Sequence, residues 1–278
     1  TQKLISASDD KTKASAQLAV KKAIDGDIEV IGESIIFDGV KLTDDFATVL
    51  AEIKQAGHNI YFATGRSYRD YLPMLPDWCH EFPAVTFGGG LVTNQTSILQ
   101  QKFMCANELS GFIHELDKRQ ATYLIDSHTS YFHSTADSWI LQDILKISAQ
   151  HPNYDLDEVL REGAYKLLVL DDSLQSLAKE FSQKFAWELK HHSYHNCFDV
   201  MPKNVNKYDG VSKLPLLAKE NIFVFGNDHN DLELMQNFDN NILFGDYAEL
   251  LPYAKVNIAY DDNLSANFHQ VIKTILKK

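Results

Sequence analysis

The chain has 278 residues, a formal net charge of -12, 45% hydrophobic and 23% charged residues, and 7 prolines. That is enough for one large domain or two modest ones with real cores, and an acidic balance without a basic patch excludes a binder of nucleic-acid backbones. The longest apolar runs are strand-sized, so no membrane partner is expected; Cys79, Cys105 and Cys197 lack metal or redox spacing and fit a reduced cytoplasm.

Residues 1–31 begin with a strand-like run, "KLISAS". A helix pattern opened by Asp10 or Thr12 follows, and the strand "DIEVI" closes a small βαβ-like element. In the next unit Thr43 is the expected N-cap, with Asp44 and Asp45 in the first turn. Phe46, Val49, Leu50 and Ile53 recur at helical spacing, and Gly57 ends the helix. The strand "HNIYFA" then breaks at Thr64-Gly65-Arg66, and a further strand, "AVTF", ends in Gly88-Gly89-Gly90.

Residues 98–204 change character. Helix patterns near 107–118 and 173–185 alternate with the strands "TYLID", "YFHS" and "YKLLVL", which reads as an inserted α/β domain. Within it "KHHSYH" (190–195) lacks the i, i+4 pairing of a helical zinc site and reads as solvated surface. After residue 207 come a helix, the apolar strand "IFVF" with the polar tip "GNDHND" (226–231), a helix carrying Leu232, Leu234 and Met235, then "NILFG" and "KVNIAY". The expected fold is therefore α/β: a doubly wound parallel sheet from 1–97 and 205–278, with 98–204 as an inserted cap. Ligands of such sheets collect at the carboxyl ends of the strands, and "TGR", "GGG" and "GNDHND" all sit there.

Taken singly, these pieces are ordinary. "TGR" is a common strand-to-helix turn, Lys207 resembles any exposed lysine, and "GNDHND" can be an Asx turn capping the next helix. "FGGGLV" lacks the spacing of a dinucleotide fingerprint. In combination, "FATGRSYRD", "FGGGLV", "VNKYDGVSKL" and "FGNDHNDLELM" resemble, in order and spacing, the haloacid dehalogenase superfamily, and among its members the Cof-like phosphatases with a large α/β cap.

The resemblance implies an aspartate nucleophile at the tip of the first strand and an acid/base aspartate two residues on. Thr64 would hydrogen-bond the phosphoryl group, Lys207 would neutralise it, and Gly65, Arg66, Gly88, Gly89 and Asn230 would contact the substrate. Asn227, Asp228 and Asp231 would hold Mg²⁺, a hard cation suited to two carboxylates and an amide oxygen; alternatively, Asp231 orients Lys207. The implied substrate is a small phosphorylated metabolite whose leaving group is read by "LIDSHTSYF" of the cap, and the chain would act as a monomer or weak homodimer.

The sequence departs from this pattern at the nucleophile. Counting back without gaps from "IIFDG" puts the D-x-D-G-T motif on Val30-Ile31-Gly32-Glu33-Ser34, which has neither aspartate. Asp25 and Asp27 preserve the two-residue spacing and are the expected catalytic pair; Ser8-Asp9-Asp10-Lys11-Thr12 keeps only the second aspartate and the threonine. Relatives also carry Asn where Gly88 stands, and many carry Asp at Asn227. Two readings follow: a Mg²⁺-dependent phosphatase, or a catalytically silent relative that keeps the pocket for binding, regulation or assembly.

Overall fold

The computed structural model describes residues 29–31, 41–94, 97–135, 142, 154–192, 196–216, 218 and 221–276. The strands are β1 Glu29–Ile31, β2 Asn59–Ala63, β3 Ala84–Thr86, β4 Leu91–Asn94, β5 Ser97–Gln101, β6 Tyr123–Asp126, β7 Tyr131–His133, β8 Lys166–Val169, β9 Trp187–His192, β10 Cys197–Pro202, β11 Ile222–Gly226, β12 Asn240–Phe244 and β13 Val256–Ile258. The helices are α1 Asp44–Gln55, α2 Tyr68–Tyr71, α3 Ala106–Lys118, α4 Leu156–Glu162, α5 Gln175–Lys184, α6 Lys207–Val211, α7 Leu232–Asn237 and α8 Leu264–Leu276.

Eight strands form one sheet in the order β13-β12-β11-β1-β2-β3-β4-β5. The pairings from β13 to β3 are parallel, while β4 and β5 add an antiparallel hairpin at the edge. Both faces are covered, which is why its strands read as continuous apolar runs. Ile60, Phe62, Phe223 and Phe225 point to the face packed by α1 and α8, where Phe46 and Phe268 lie 5.2 Å apart. The alternate residues Tyr61, Ala63, Ile222 and Val224 meet Val211 of α6 and Leu234 and Met235 of α7 on the other face. This is the doubly wound sheet that the alternation implied.

The second sheet is antiparallel, in the order β7-β6-β8-β10-β9. One face, with Ile125, Leu167, Val169, Phe198 and Val200, packs on Leu109, Phe112, Val159 and Ala178 of α3, α4 and α5. The period of two then sends Asp126, Lys166, Asp199, Lys190 and His192 to the opposite face.

Several local expectations need correction. β5 was placed in the cap but pairs with β4 at the core-sheet edge, because its hairpin partner precedes it by only two residues. Thr43 occupies the N-cap position, yet its side chain makes no capping bond. Of "KHHSYH", Lys190, His191 and His192 belong to the edge strand β9, where His191 is exposed as expected and Lys190 and His192 are half-buried; residues 193–195 lie outside the described residues. Among the described residues no helix is long and apolar enough to cross a membrane.

Candidate active site

The loops after β2 and β3 are laced together by their main chains. Thr64 N–H donates to Val85 O (2.8 Å), Gly88 N–H to Thr64 O (2.8 Å), and Phe87 N–H to Arg66 O (2.8 Å). The Thr64 hydroxyl oxygen accepts from Arg66 N–H at 2.9 Å. Phe87, Gly88 and Gly89 all have positive φ, at 51°, 62° and 114°. Such backbone is costly for a phenylalanine; its ring is held by stacking on Tyr165, centroid to centroid 4.7 Å.

Gly89 has a second constraint. A Cβ there would overlap the carbonyl of Asn206, and one on Gly210 would lie 2.5 Å from Val85 Cγ1 and 3.1 Å from Gly89 Cα. The two glycines thus let the start of α6 lie flush against this loop. Asn206 caps α6, its side chain accepting from Asp209 N–H at 2.8 Å, and Lys207 is the first helical residue.

Lys207 points at the tip of β11, where Nζ donates to Asp231 Oδ1 at 2.8 Å; its side chain is 6% exposed and that of Asp231 0%. The other oxygen of Asp231 accepts from the N–H groups of Asn227 (2.9 Å) and Asp228 (3.4 Å). Asp228 Oδ1 accepts from Asn230 N–H at 2.9 Å. The dense polar tip is therefore both a cap and a scaffold: Asp231 shapes the loop and aims the lysine, and Asp228 is left facing the cleft.

That cleft, about 640 Å³, lies between the two sheets. Of the residues expected in the site, Gly65, Gly88, Lys207, Asp228 and Asn230 line it. Thr64 and Asp231 are fully buried beside it. Arg66, Gly89 and Asn227 do not appear on its walls: Arg66 and Asn227 bond through their main chains, and Gly89 serves the packing of α6. Asp25 and Asp27 lie outside the described residues. β1 enters the sheet at Glu29, level with Ile222 and Asn59, at the ends of β11 and β2 remote from the cleft.

The roof is the polar face of the second sheet, with Lys166, Lys190, His192, Asp199 and Met201. Sequence reasoning missed these residues. The available signal was the alternation of Lys190 and His192 on one strand and Asp199 and Met201 on the next. "LIDSHTSYF", expected to read the leaving group, is not on the cleft wall: Asp126 binds Arg69, and Ser127, Thr129 and Ser130 bond Glu162. Burial pushes the Asp199 carboxyl up, but Lys166, His192 and Lys190 hold it below the ordinary carboxylate range.

For a divalent cation, the chemistry of the donor set is decisive. Among the described residues no cluster of three or more His, Cys, Asp or Glu exists, which excludes a closed zinc-type cage there. A carboxylate on the cleft wall next to an amide oxygen fits Mg²⁺, which keeps waters and uses one or two carboxylates plus substrate phosphate.

A family model described as haloacid dehalogenase-like hydrolase matches residues 8–262. Solved structures are similar across most of the chain. A Thermotoga maritima protein has a TM-score of 0.73 at 14% identity, covering 88% of this chain and 97% of its own. A haloacid dehalogenase-like hydrolase from Bacteroides thetaiotaomicron has 0.74 at 13%, covering 90% and 100%. A sugar phosphatase of HAD subclass IIB has 0.65 at 15%, covering 89% and 100%. No curated protein sequence matches.

Proposed function

Because the chain belongs to the haloacid dehalogenase-like hydrolase family, we propose that it hydrolyses small phosphate monoesters with Mg²⁺. The observation that carries this reading is the buried Lys207–Asp231 pair, 2.8 Å long, at the strand tips on the edge of a roofed cleft. An ammonium fixed there neutralises charge on a transferring phosphoryl group, and phosphoryl transfer depends on such positioning more than on covalent help. The hydroxyl of Thr64 would donate to a phosphoryl oxygen. Asp228, on the cleft wall, would hold Mg²⁺, which when bound draws charge from the same oxygens.

In this scheme a carboxylate oxygen of Asp25 attacks phosphorus, the bond to the ester oxygen breaks, and Asp27 gives that oxygen a proton. Asp27 then takes a proton from the water that attacks the acyl phosphate, releasing inorganic phosphate and restoring Asp25. The direction of β1 tells against this pair. The chain enters the sheet at the end remote from the cleft, and four residues of strand span about 13 Å. That observation favours a second reading, in which the pocket binds phosphate esters without turning them over.

Hydrolysis of an aryl phosphate with Mg²⁺ separates the two. Turnover that falls at least ~10³-fold in Lys207→Met and in Asp25→Asn supports the first reading with its nucleophile. Turnover indifferent to Asp25→Asn removes Asp25 from the scheme. Absence of turnover, with orthovanadate still binding by calorimetry in a Lys207-dependent way, selects the second.

A further inference from the structure

The helix that carries Lys207 is short, and its direction must be set from outside. α6 has five residues, Lys207–Val211, and helices below about 12 residues are marginal on their own. Gly89 and Gly210 let it lie against the loop after β3, but bare backbone permits contact without fixing an angle. The polar contacts that fix the angle converge on Asp209, which the hydrolase scheme leaves unused.

Asp209 stands in the first turn of α6, where its N–H donates to Asn206 Oδ1 at 2.8 Å. Its Oδ2 accepts from Lys102 Nζ at 2.7 Å and from Gln100 Nε2 at 3.2 Å. Gln100 belongs to β5, and the same amide nitrogen donates to Gly89 O at 3.2 Å. It therefore bridges α6 to the glycine loop, whose Gly88 lines the cleft. Lys102 follows β5 and opens the connector to the second sheet. Its ammonium also donates to Asn204 O at 2.9 Å, in the connector that returns to α6. Its main-chain N–H donates to Gly90 O at 2.7 Å. One carboxylate oxygen thus joins α6, β5, the glycine loop and both connectors.

Burial pushes the Asp209 carboxyl up, but Lys102 and Gln100 hold it below the ordinary carboxylate range. Lys213, four residues on, lies 3.3 Å from the other oxygen, Oδ1. That pair stays within one stretch of chain and ties α6 to no other element.

We propose that Asp209 is a positioning residue for the phosphoryl pocket: through Lys102 and Gln100 it fixes the angle of α6, and so the position of the Lys207 ammonium over the cleft. Asp209, Lys102 and Gln100 are not on the cleft wall, so they act through Lys207 and not on a ligand. The Lys207 side chain runs buried from the first helical residue to Asp231, and a tilt of α6 is passed straight to its Nζ. A displacement on the order of 1 Å at such a group can cost about 10²-fold in rate. The inference rests on the proposed function for what Lys207 binds, but not for what holds Lys207 in place.

The test is orthovanadate calorimetry on the full chain, with thermal denaturation alongside. Asp209→Ala is expected to weaken vanadate about 10-fold, with Tm within ~4 °C of the native value. Asp209→Glu, which keeps the carboxylate, restores most of that affinity, and Lys213→Met leaves it unchanged. Lys102→Met weakens vanadate as Asp209→Ala does, and the two together weaken it no further than either alone. Should Asp209→Ala fail to fold, Lys102→Met carries the comparison. Native affinity in Asp209→Ala, an equal loss in Lys213→Met, or losses that add in the double variant overturn the proposal and leave the pocket standing. If the native chain binds no vanadate, the pocket reading fails and amide hydrogen exchange decides. Faster exchange of residues 207–211 in Asp209→Ala then keeps the positioning role, and unchanged exchange overturns it.

Discussion

Arg69 of α2 reaches out of the core and is buried against Asp126 of β6, NH2 to Oδ1 2.9 Å, with 0% of its side chain exposed. Asp70 holds the same guanidinium through Nε (2.9 Å) and NH2 (2.8 Å), NH1 donates to Ser130 O at 3.2 Å, and the Tyr131 ring lies 4.4 Å away. Burial alone would lower its pKa, but Asp126 and Asp70 more than offset this and raise it. Breaking such a pair by removing one partner costs about 3–5 kcal/mol. Arg69→Leu is expected to lose that much in urea unfolding. Arg69→Lys should also lose stability, because an ammonium cannot reproduce the fork on Asp70. Equal stability of Arg69→Leu and the native chain would contradict the lock.

Gly89 and Gly57 provide a matched pair. Both have positive φ, 114° and 86°, but a Cβ at Gly57 meets nothing within 4 Å, while one at Gly89 meets the Asn206 main chain. Gly57→Ala is expected to cost about 1–2 kcal/mol for backbone strain alone. Gly89→Ala should cost about 1–3 kcal/mol more, and vanadate affinity should fall because α6 and Lys207 must shift. Thermal denaturation and calorimetry of the two variants check this.

The three cysteines are expected to differ in reactivity. Cys105 is exposed; Cys79 and Cys197 are buried. Burial pushes the Cys79 thiol up to about 12 and the Cys197 thiol up to about 11, so the reactive thiolate is scarce at both. A chromogenic disulfide reagent at pH 8 should titrate one thiol per folded chain quickly and all three after denaturation. Two fast thiols in the folded protein would refute the burial of one of the pair.

Asp199 makes stability depend on pH. Its folded carboxyl lies below the ordinary value, so the folded state binds its proton less readily than the unfolded chain. The resulting stabilisation is present above the unfolded pKa of about 4 and is lost as pH falls through the folded value. The difference in Tm between the native chain and Asp199→Asn should therefore shrink as pH falls below 4. A difference that grows on acidification would reverse the sign assigned here.

The core was readable because its strands and helices obey simple periods. Phe46, Val49, Leu50 and Ile53 announce a helix face, and Ile222 to Phe225 a strand buried on both sides. Lys207 and the polar tip were readable because they sit beside such elements. The role of Asp231 was less so: two carboxylates three residues apart look equivalent, and only the folded loop turns one toward its own amides and the other toward the cleft. The cap roof was hidden for a different reason. Lys190 and His192 look solvated until Asp199, seven residues beyond His192, is folded back beside them. Gly89 was read as a substrate contact, since a glycine's reason for being small is found in its neighbour, here Asn206.

β1 binds its neighbours through the main chain: Glu29, Val30 and Ile31 stand opposite Ile222, Phe223 and Val224 on one flank and Asn59, Ile60 and Tyr61 on the other. Main-chain pairing is blind to what comes next in the chain, whether a carboxylate or the Gly32-Glu33-Ser34 found here. The central strand of the sheet is thus held by contacts indifferent to the side chains that follow it in the chain, so those side chains can change without loosening the sheet.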